Sequence, residues 1–332
     1  MAKYLIFRTD RIGDFITSQV VSNSIKQKSK KNQIDFVVSK YNYEYIKNFK
    51  YISKIFIFNE TGIRLFNYFK LLSKIKNKYD YLIVLDGKRR SFYSGIFINA
   101  KNKICFMKDF YPKFLIKVFY DKYIKNTTIN NQHNNFKILL NYLEVKVPKK
   151  IDYYDSYKFK FNKFKIKKPY IHLHLDEKWF ENNYYNDFDY MNLNTDKIYT
   201  FLSDLVMIYK NNILVTQGHT KIYEMDKFKS KYLNLKKNFN ILKINNQYIY
   251  FYDNTDFRDL ENLVKNSKLL ICCEGALSHV SHALKIKTIA LIQKNRPDIS
   301  KFWTSHMSKI KLVSRTDIKF LTKKLKKLSF NF

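Results

Sequence analysis

The feature that most constrains this chain is a repeated alternation of short β-branched and aromatic runs with longer amphipathic stretches. Runs of the first kind predict strands and stretches of the second kind predict helices, so the alternation is typical of βα units and a parallel sheet. In the first half, strands are predicted at residues 4–7, 34–38, 54–58, 81–85 and 103–106. Helices are predicted there at residues 15–27, 65–75 and 136–143.

A second series of the same kind follows. Its predicted strands are residues 170–175, 213–216, 239–242, 268–272 and 288–291, and its predicted helices are 195–209, 257–265, 277–284 and 317–328. Pro148 and Pro169, two of only four prolines, bracket a lysine-dense stretch without helical periodicity. We therefore predict an α/β protein of two Rossmann-like parallel-sheet domains facing across a cleft. The domains are residues 1–150 and 169–315, with a linker at 151–168 and a terminal helix in 316–332 that we expect to pack back on the first domain.

The net charge of +34 arises from 62 Lys or Arg residues against 28 Asp or Glu. Only eight of the basic residues are arginine, and Lys, Asn, Ile, Tyr and Phe are abundant while Gly and Pro are rare. AT-rich codons produce that combination, so we interpret much of the charge as compositional, with steering of anionic partners as a second consequence. A nucleic-acid-binding function would need arginine or aromatic clusters on one element.

Cysteine usage and hydropathy indicate the compartment. Cys105, Cys272 and Cys273 form an odd set without C-x-x-C spacing, which argues against a disulfide framework and a cysteine-ligated zinc. The apolar stretch before Arg8 is far shorter than a signal peptide requires, and no run approaches the ~18 apolar residues of a membrane span. We expect a cytoplasmic chain.

Glycine is scarce, with only six in the chain, and no G-x-G-x-x-G follows a predicted strand, which disfavours a nicotinamide dehydrogenase. Gly13, Gly87, Gly218 and Gly275 each lie just past a predicted strand, where a turn into a helix often needs a residue without a side chain. By themselves Gly87 and Gly218 indicate ordinary turns. The neighbours of Gly13 and Gly275 indicate more.

The first such segment is RTDRIGD, from Arg8 to Asp14. Asp14 at a helix start is either a capping residue or a carboxylate that accepts a proton from a substrate hydroxyl. Arg8 and Arg11 suit bidentate binding of carboxylate or phosphate.

The second segment is CCEGALSH, which ends at His279. Glu274 either caps the following helix or accepts hydrogen bonds from sugar hydroxyls, and the small pair Gly275 and Ala276 lets a diphosphate approach a helix N-terminus. His279 either faces a ligand or packs in the core. His282 is interpreted as structural.

These segments, together with YDYLIVLDGKRRS, EKW, LVTQG and DLENLVKNSKLLICCEGALSHVSHAL, resemble the ADP-heptose:lipopolysaccharide heptosyltransferases, glycosyltransferase family 9. They occur in the family's order over nearly the whole chain. The chain departs from the family pattern where Glu274 stands for Asp, Gly275 for Ser or Thr, and Ala276 for Gly.

The resemblance implies the GT-B architecture and an inverting, metal-independent glycosyltransferase with an N-terminal acceptor domain and a C-terminal nucleotide-sugar domain. It implies Asp14 as general base. The residues expected to bind the nucleotide sugar are Lys178, Thr216, Gly218, Glu274, Gly275, Ala276 and His279. Those expected to bind the acceptor are Arg8, Arg11, Gly13, Arg89 and Arg90, although Arg89 and Arg90 also fit a solvated helix start.

The resemblance further implies ADP-heptose as donor, a lipopolysaccharide core or other anionic glycolipid as acceptor, and no cofactor. Lysines in residues 113–125 suggest contact with an anionic membrane surface, so a peripheral position at the inner face of the cytoplasmic membrane is expected. Two alternatives stay open: a related transferase using another donor or acceptor, and a basic nucleic-acid-binding protein without enzyme activity. We expect no nucleic-acid partner.

Overall fold

The computed structural model describes residues 1–58, 64–107, 111–125, 131–147, 166–180, 191, 193–233, 239–253, 255–295 and 297–329. Its internal contacts divide the chain into two units, Met1–Tyr157 and Lys158–Phe332. Most of the predicted linker at 151–168 lies outside the described residues. The domain boundaries therefore stay predictions.

The N-terminal unit alternates strands and helices along its length. Its elements are β1 (Lys3–Arg8), α1 (Ile12–Lys28), β2 (Gln33–Ser39), α2 (Lys40–Ile46), β3 (Lys54–Phe58), α3 (Arg64–Lys74), β4 (Tyr79–Val84), α4 (Arg89–Phe97), β5 (Ala100–Met107), α5 (Lys113–Phe119), β6 (Lys122–Lys125) and α6 (Gln132–Tyr142). The strands form one parallel sheet in the order β3-β2-β1-β4-β5-β6, with β3 and β6 at its edges. This is the strand order of a doubly wound dinucleotide-binding fold.

The two faces of this sheet carry different helices, because side chains alternate along each strand. Val37 and Leu82 pack in one core cluster with α3, α4 and α5. Phe36, the neighbour of Val37 in β2, packs edge-on against Phe15 of α1 on the other face. The sheet is therefore covered on both sides.

The C-terminal unit contains the second series. Its elements are β7 (Tyr170–Leu175), a 3₁₀ turn (Glu177–Trp179), α7 (Thr195–Tyr209), β8 (Asn212–Gln217), α8 (Tyr223–Tyr232), β9 (Phe239–Ile244), β10 (Gln247–Tyr252), α9 (Phe257–Lys265), β11 (Leu269–Cys273), α10 (Ala276–Ala283), β12 (Lys287–Ile292), α11 (Pro297–Thr304), β13 (Ile310–Ser314) and α12 (Ile318–Ser329). The sheet order is β13-β12-β11-β7-β8-β10-β9, with β13 and β9 at the edges.

One strand of the second sheet departs from the predicted parallel arrangement. β9 and β10 pair antiparallel, and the two residues that join them, Asn245 and Asn246, have φ angles of 46° and 62°. Two consecutive positive φ values are typical of the tightest hairpin turn, which asparagine tolerates better than most residues. The remaining pairs in this sheet are parallel, so two Rossmann-like α/β units are confirmed.

The last helix packs within the C-terminal unit. α12 contacts α7, and its Ile318, Leu321 and Leu325 belong to that unit's hydrophobic core. Its expected packing on the first domain stays a prediction. Among the described helices, none has the length and apolar character needed to cross a bilayer.

Candidate functional site

In doubly wound sheets, ligands bind outside the carboxyl ends of the strands, at the point where the strand order reverses. In the N-terminal unit that point lies between β1 and β4, which are neighbours in the sheet. The segments that follow these strands are residues 9–14 and 85–90. They contain all the residues predicted from the sequence for the acceptor side, apart from Arg8 at the end of β1 itself.

Asp86 ties the two segments together. Its Oδ2 accepts hydrogen bonds from the backbone N–H of Thr9 at 2.9 Å, the Thr9 hydroxyl at 2.7 Å and the Ser91 hydroxyl at 2.6 Å, while Oδ1 accepts from Lys88 N at 3.0 Å. Arg90 reinforces the connection, because its Nε donates to Thr9 Oγ1 at 2.9 Å and its Nη2 donates to the Thr9 carbonyl at 2.7 Å. These hydrogen bonds of Asp86 and Arg90 fix the end of β1 relative to the start of α4.

Arg8 is buried inside this turn. Its Nε donates to the carbonyl oxygen of Asp14 at 2.9 Å, and its Nη1 donates to the carbonyl of Leu85 at 2.9 Å. The same guanidinium forms ion pairs with Asp10 at 3.3 Å and with Asp14 Oδ1 at 3.7 Å. Arg8 thus positions Asp14, and its predicted contact with an acceptor stays a prediction.

Asp14 is the third residue of α1, and 24% of its side chain is exposed. Its Oδ2 accepts a weak hydrogen bond from Arg11 N at 3.2 Å, so it satisfies one backbone donor at the helix start. The capping role and the accessible carboxylate coexist, since one carboxylate offers about four acceptor sites. The position suits a general base.

Asp10, which was not predicted from the sequence, adds a second carboxylate to this turn. Burial raises the pKa of Asp10 well above its usual value, the Arg8 guanidinium opposes that rise, and the charges of Asp14 and Asp86 add to it. Burial is the largest of these effects, so the protonated form of Asp10 is favoured more than in a solvated aspartate.

The remaining acceptor-side residues lie at the same edge of the sheet. Gly13 is inside the first turn of α1, Arg11 and Arg89 are exposed, and the Arg90 guanidinium lies 5.8 Å from the centre of the Phe58 ring. The structure therefore brings all of them to the carboxyl ends of β1 and β4. Their roles stay predictions.

In the C-terminal unit the strand order reverses between β7 and β11. Lys178, in the 3₁₀ turn after β7, reaches across to the residue that follows β11: its Nζ donates to the Glu274 carbonyl at 2.6 Å and lies 3.9 Å from Asp176 Oδ2. Asp176 Oδ1 in turn accepts from Lys178 N at 3.2 Å. These contacts hold an ammonium group at the carboxyl edge of the sheet.

The charge state of this lysine follows from its neighbours. Burial acts to lower the pKa of Lys178, but the negative charges of Asp176 and Glu274 outweigh that effect and raise it. Burial raises the pKa of the Asp176 carboxyl, which the Lys178 charge opposes. From the other side, the buried Arg315 donates from Nη1 to the Lys178 carbonyl at 2.7 Å. Lys178 is therefore a protonated and positioned cation.

Two glycines permit these close approaches. A Cβ atom added at Gly275 would lie 3.1 Å from Lys178 Nζ, and one added at Gly218 would lie 3.2 Å from the Cβ of Asp176. Gly275 precedes α10, whose first residue is Ala276, and its carbonyl accepts from the Ser278 hydroxyl at 2.7 Å. The absence of a side chain at these two positions thus lets the strand ends approach closely without displacing Lys178 or Asp176.

Thr216 occupies a different environment. It is fully buried in β8, and its hydroxyl hydrogen-bonds with His172 Nε2 at 2.7 Å and His174 Nδ1 at 2.9 Å. Burial lowers the pKa of His174 to about 4, helped by the Lys178 charge, and lowers that of His172 well below its usual value. The pair is neutral at physiological pH. A ligand contact of Thr216 stays a prediction.

His279 is buried in α10 among aromatic rings. Its ring lies nearly parallel to that of His306, with centroids 6.5 Å apart, and edge-on to Trp303 at 6.4 Å. His282 meets His306 edge-on at 5.2 Å. The core-facing alternative accounts for this packing, and the ligand role of His279 stays a prediction.

The sequence held signals for several residues that were missed. Asp176 directly follows β7, and Asp86 is the second residue after β4; both strands flank a point of reversal. His172 and His174 stand two residues apart in β7, a spacing that puts both rings on one face of a strand. Arg315 follows the last strand, but nothing in its local sequence indicates that it reaches back to the turn after β7.

Comparison with known proteins places this geometry in a known fold. No protein-family model matches the sequence, and no curated protein matches it. Among solved structures, the chain is similar to a glycosyltransferase family 9 protein from Veillonella parvula (13% identity, TM-score 0.67, covering 98% of this chain and 89% of the other). It is also similar to E. coli heptosyltransferase WaaC with ADP-2-deoxy-2-fluoro heptose (11%, 0.69, 98% and 99%). A UDP-GlcNAc 2-epimerase from Methanocaldococcus jannaschii matches with a lower TM-score (15%, 0.57, 99% and 92%). The chain therefore has the two-domain fold of the family 9 glycosyltransferase and heptosyltransferase structures.

Proposed function

We propose that this protein is an inverting glycosyltransferase that moves a sugar, heptose, from a nucleotide diphosphate sugar to a lipopolysaccharide core or related surface glycan. The observation that carries the proposal is the fold likeness to a heptosyltransferase over nearly the whole of both chains. The site geometry supports it, because each unit places one chemically apt side chain at its point of strand reversal: Asp14 in the first and Lys178 in the second.

In the proposed reaction, an acceptor hydroxyl oxygen attacks the anomeric carbon of the donor sugar. The bond from that carbon to the diphosphate oxygen breaks, the nucleoside diphosphate leaves with the electron pair, and the hydroxyl proton passes to Asp14. A single displacement inverts the anomeric configuration. Lys178 and the N-terminus of α10 offset the charge that develops on the diphosphate, and the reaction needs no metal or cofactor.

The donor is ADP-heptose, since the heptosyltransferase in the match carries an ADP-heptose analogue. The acceptor is an anionic glycolipid, and the exposed Arg11 and Arg89 supply cations at the acceptor edge. A lipid-linked acceptor implies a cytoplasmic enzyme that works peripherally at the inner face of an anionic membrane. Turnover unchanged by EDTA is expected, and a loss restored by divalent metal would refute the metal-independent step.

The test of the base is Asp14→Asn. We expect sugar transfer to fall by about 10²- to 10⁴-fold, with donor affinity within a few-fold of wild type, because asparagine keeps the size of the side chain but cannot accept the proton. Asp80→Asn is the matched control. Asp80 lies at the amino end of β4, at the opposite end of the strands from Asp14, and it accepts a hydrogen bond from Lys3 N at 2.9 Å. Transfer retained in Asp14→Asn would contradict the assignment.

The test of the donor site is Lys178→Ala. Removing one charge-assisted contact to the diphosphate is expected to weaken ADP binding about 10- to 100-fold, measured by calorimetry. Lys243→Ala is the control: Lys243 is exposed on the edge strand β9, and its replacement should leave ADP affinity unchanged. Equal affinities in both variants would show that another residue holds the diphosphate.

A donor screen separates the rivals. A transferase consumes the sugar nucleotide only with an acceptor, whereas an epimerase, the second candidate because of the 2-epimerase match, converts its sugar nucleotide without one. A transferase with another donor would be stabilised against heating by a different sugar nucleotide. Salt-dependent binding to random duplex without sugar-nucleotide affinity would instead indicate the nucleic-acid-binding alternative.

A further inference from the structure

Three helices of the N-terminal unit present aromatic residues to solvent. On α3, Phe66 and Phe69 are 64% and 69% exposed; on α4, Phe97 is 73% exposed; on α5, Phe114 is 66% exposed. Exposed phenylalanines scattered singly need no explanation, but a contiguous group of them marks an interaction surface.

The outward positions follow helical spacing on each element. On α3 the exposed stripe runs through Phe66, Phe69 and Lys70, at positions i, i+3 and i+4. On α5 the same spacing joins Phe114, Lys117 and Val118, and Val118 is 68% exposed. These helices therefore have an ordinary buried face and a second, partly apolar face that nothing in the described chain covers.

The three helices lie on one side of the sheet, so their outward stripes face the same way. Leu71 of α3, Phe92 of α4 and Ile116 of α5 all belong to one core cluster, together with Leu82 and Val84 of β4. α3 also contacts α4 directly. We refer to the outer surface of residues 64–74, 89–97 and 113–119 as the α3–α5 face.

The charge on this face has one sign. None of its three helices contains Asp or Glu. The two arginines of α4 lie at its start, at the carboxyl edge of the sheet, so the positive charge of the face comes from lysines of α3 and α5. The exposed lysines are Lys70, Lys74, Lys113 and Lys117. In the C-terminal unit, α7, α8 and α9 carry acidic residues, whereas α12 does not. The α3–α5 face thus combines exposed phenylalanines with uncompensated positive charge.

We propose that the α3–α5 face docks on the surface of an anionic lipid bilayer. Lysines are drawn to the negative potential of an anionic leaflet, and phenylalanine side chains enter the boundary between headgroups and acyl chains. Binding to nucleic acid would explain the exposed lysines. It would not explain why exposed apolar side chains lie beside them along the helices. The inference rests on the proposed function only for the reason why docking would be useful, namely that a lipid-linked acceptor lies at such a surface.

The test is co-sedimentation of the full chain with vesicles, without donor or acceptor. We expect binding to vesicles of equal parts phosphatidylglycerol and phosphatidylcholine, and little binding to phosphatidylcholine alone. Lys113→Gln with Lys117→Gln should weaken partitioning about thirtyfold at low ionic strength, from roughly 1 kcal/mol per lysine. Phe66→Ser with Phe69→Ser should weaken it about tenfold or more, and this loss should persist at high salt.

Phe320→Ser with Lys323→Gln is the matched control. Phe320 is 63% exposed on the acid-free, lysine-rich helix α12, so it has the same local chemistry at another place in the fold. The control should bind vesicles as wild type does. None of the substituted side chains is buried, so unfolding temperatures should be unchanged in every variant.

Absence of binding to anionic vesicles would overturn the proposal, as would an equal loss in the α12 control. Wild-type partitioning of Phe66→Ser with Phe69→Ser would overturn it too, because charge alone would then explain the binding. Binding to random duplex that falls in the same variants, without vesicle binding, would assign the face to nucleic acid. Donor binding by the wild-type chain is measured separately, so failure of the transferase function and failure of the docking face are distinguishable.

Discussion

Substitution of Asp86 is expected to loosen the junction between β1 and β4 without unfolding the protein. The carboxylate is 6% exposed and accepts four hydrogen bonds, three of them on Oδ2. In Asp86→Asn, the amide oxygen can replace Oδ2, but its NH₂ group then faces the N–H of Lys88. The hydrogen bond from Lys88 N is lost, and the buried NH₂ group of the new asparagine has no acceptor. The three hydrogen bonds to the other oxygen change from a charged to a neutral acceptor.

The magnitude follows from these contacts. An unsatisfied buried donor costs about 1–3 kcal/mol, and each charged bond that becomes neutral loses several tenths of a kcal/mol. The total is about 3 kcal/mol, which corresponds to about a hundredfold in a local opening equilibrium. Asp86→Asn should therefore speed amide hydrogen exchange of Thr9 and Lys88 about a hundredfold.

The assay is site-resolved hydrogen exchange. The control is Asp80→Asn, at the amino end of β4. The control should leave the Thr9 and Lys88 amides within about threefold of wild type. A change below threefold in Asp86→Asn would refute the reasoning, since the carboxylate would then hold neither turn. An equal acceleration at amides of β7 and β8 would also refute it, because the effect would be global.

Three further perturbations test the C-terminal unit. Gly275→Ala should weaken ADP binding about tenfold with little change in unfolding temperature, because the new Cβ lies 3.1 Å from the flexible end of Lys178 and displaces it; unchanged affinity by calorimetry would contradict this. The pKa of His174 is about 4, below its unfolded value of 6.5, so the stability from its neutral ring is present above pH 6.5 and lost as pH falls toward 4. His174→Gln should accordingly reduce the fall in unfolding free energy between pH 7 and 4 by about 3 kcal/mol in urea titrations, and an unaltered pH profile would count against it. Arg315→Met should lower the unfolding free energy by about 2 kcal/mol, because the Lys178 carbonyl loses a charged donor; equal urea midpoints would rule that out.

The fold was largely predictable because its strands are short, buried and rich in β-branched or aromatic residues. The predicted bounds of β3 and β7 agree with the structure, and so do those of α7 and α9. The hairpin strand β10, sequence QYIYFY, was missed even though its composition is typical of a strand. Asn245 and Asn246 before it were a turn signal, but expecting only parallel strands left no place for a hairpin.

The site was less predictable than the fold. Asp14, Lys178 and Gly275 could be found from sequence because each belongs to a strand-to-helix turn. Hydrogen bonds between distant segments could not, since nothing local to Arg315 encodes its bond to the Lys178 carbonyl, 137 residues away. The partners of Thr216 were equally unpredictable, because its pairing with two histidines of the neighbouring strand depends on sheet register.

The strands at the edges of the two sheets carry exposed lysines, which affects how two copies of the protein can meet. An edge strand offers unpaired N–H and C=O groups to any other strand, and a second copy of the same protein is the commonest source of one. Each of the four edge strands has an exposed lysine: Lys54 on β3, Lys122 and Lys125 on β6, Lys243 on β9 and Lys311 on β13. Two copies meeting edge to edge would bring like charges together in a partly dehydrated contact. The high lysine content therefore also disfavours edge-to-edge pairing at these open strands.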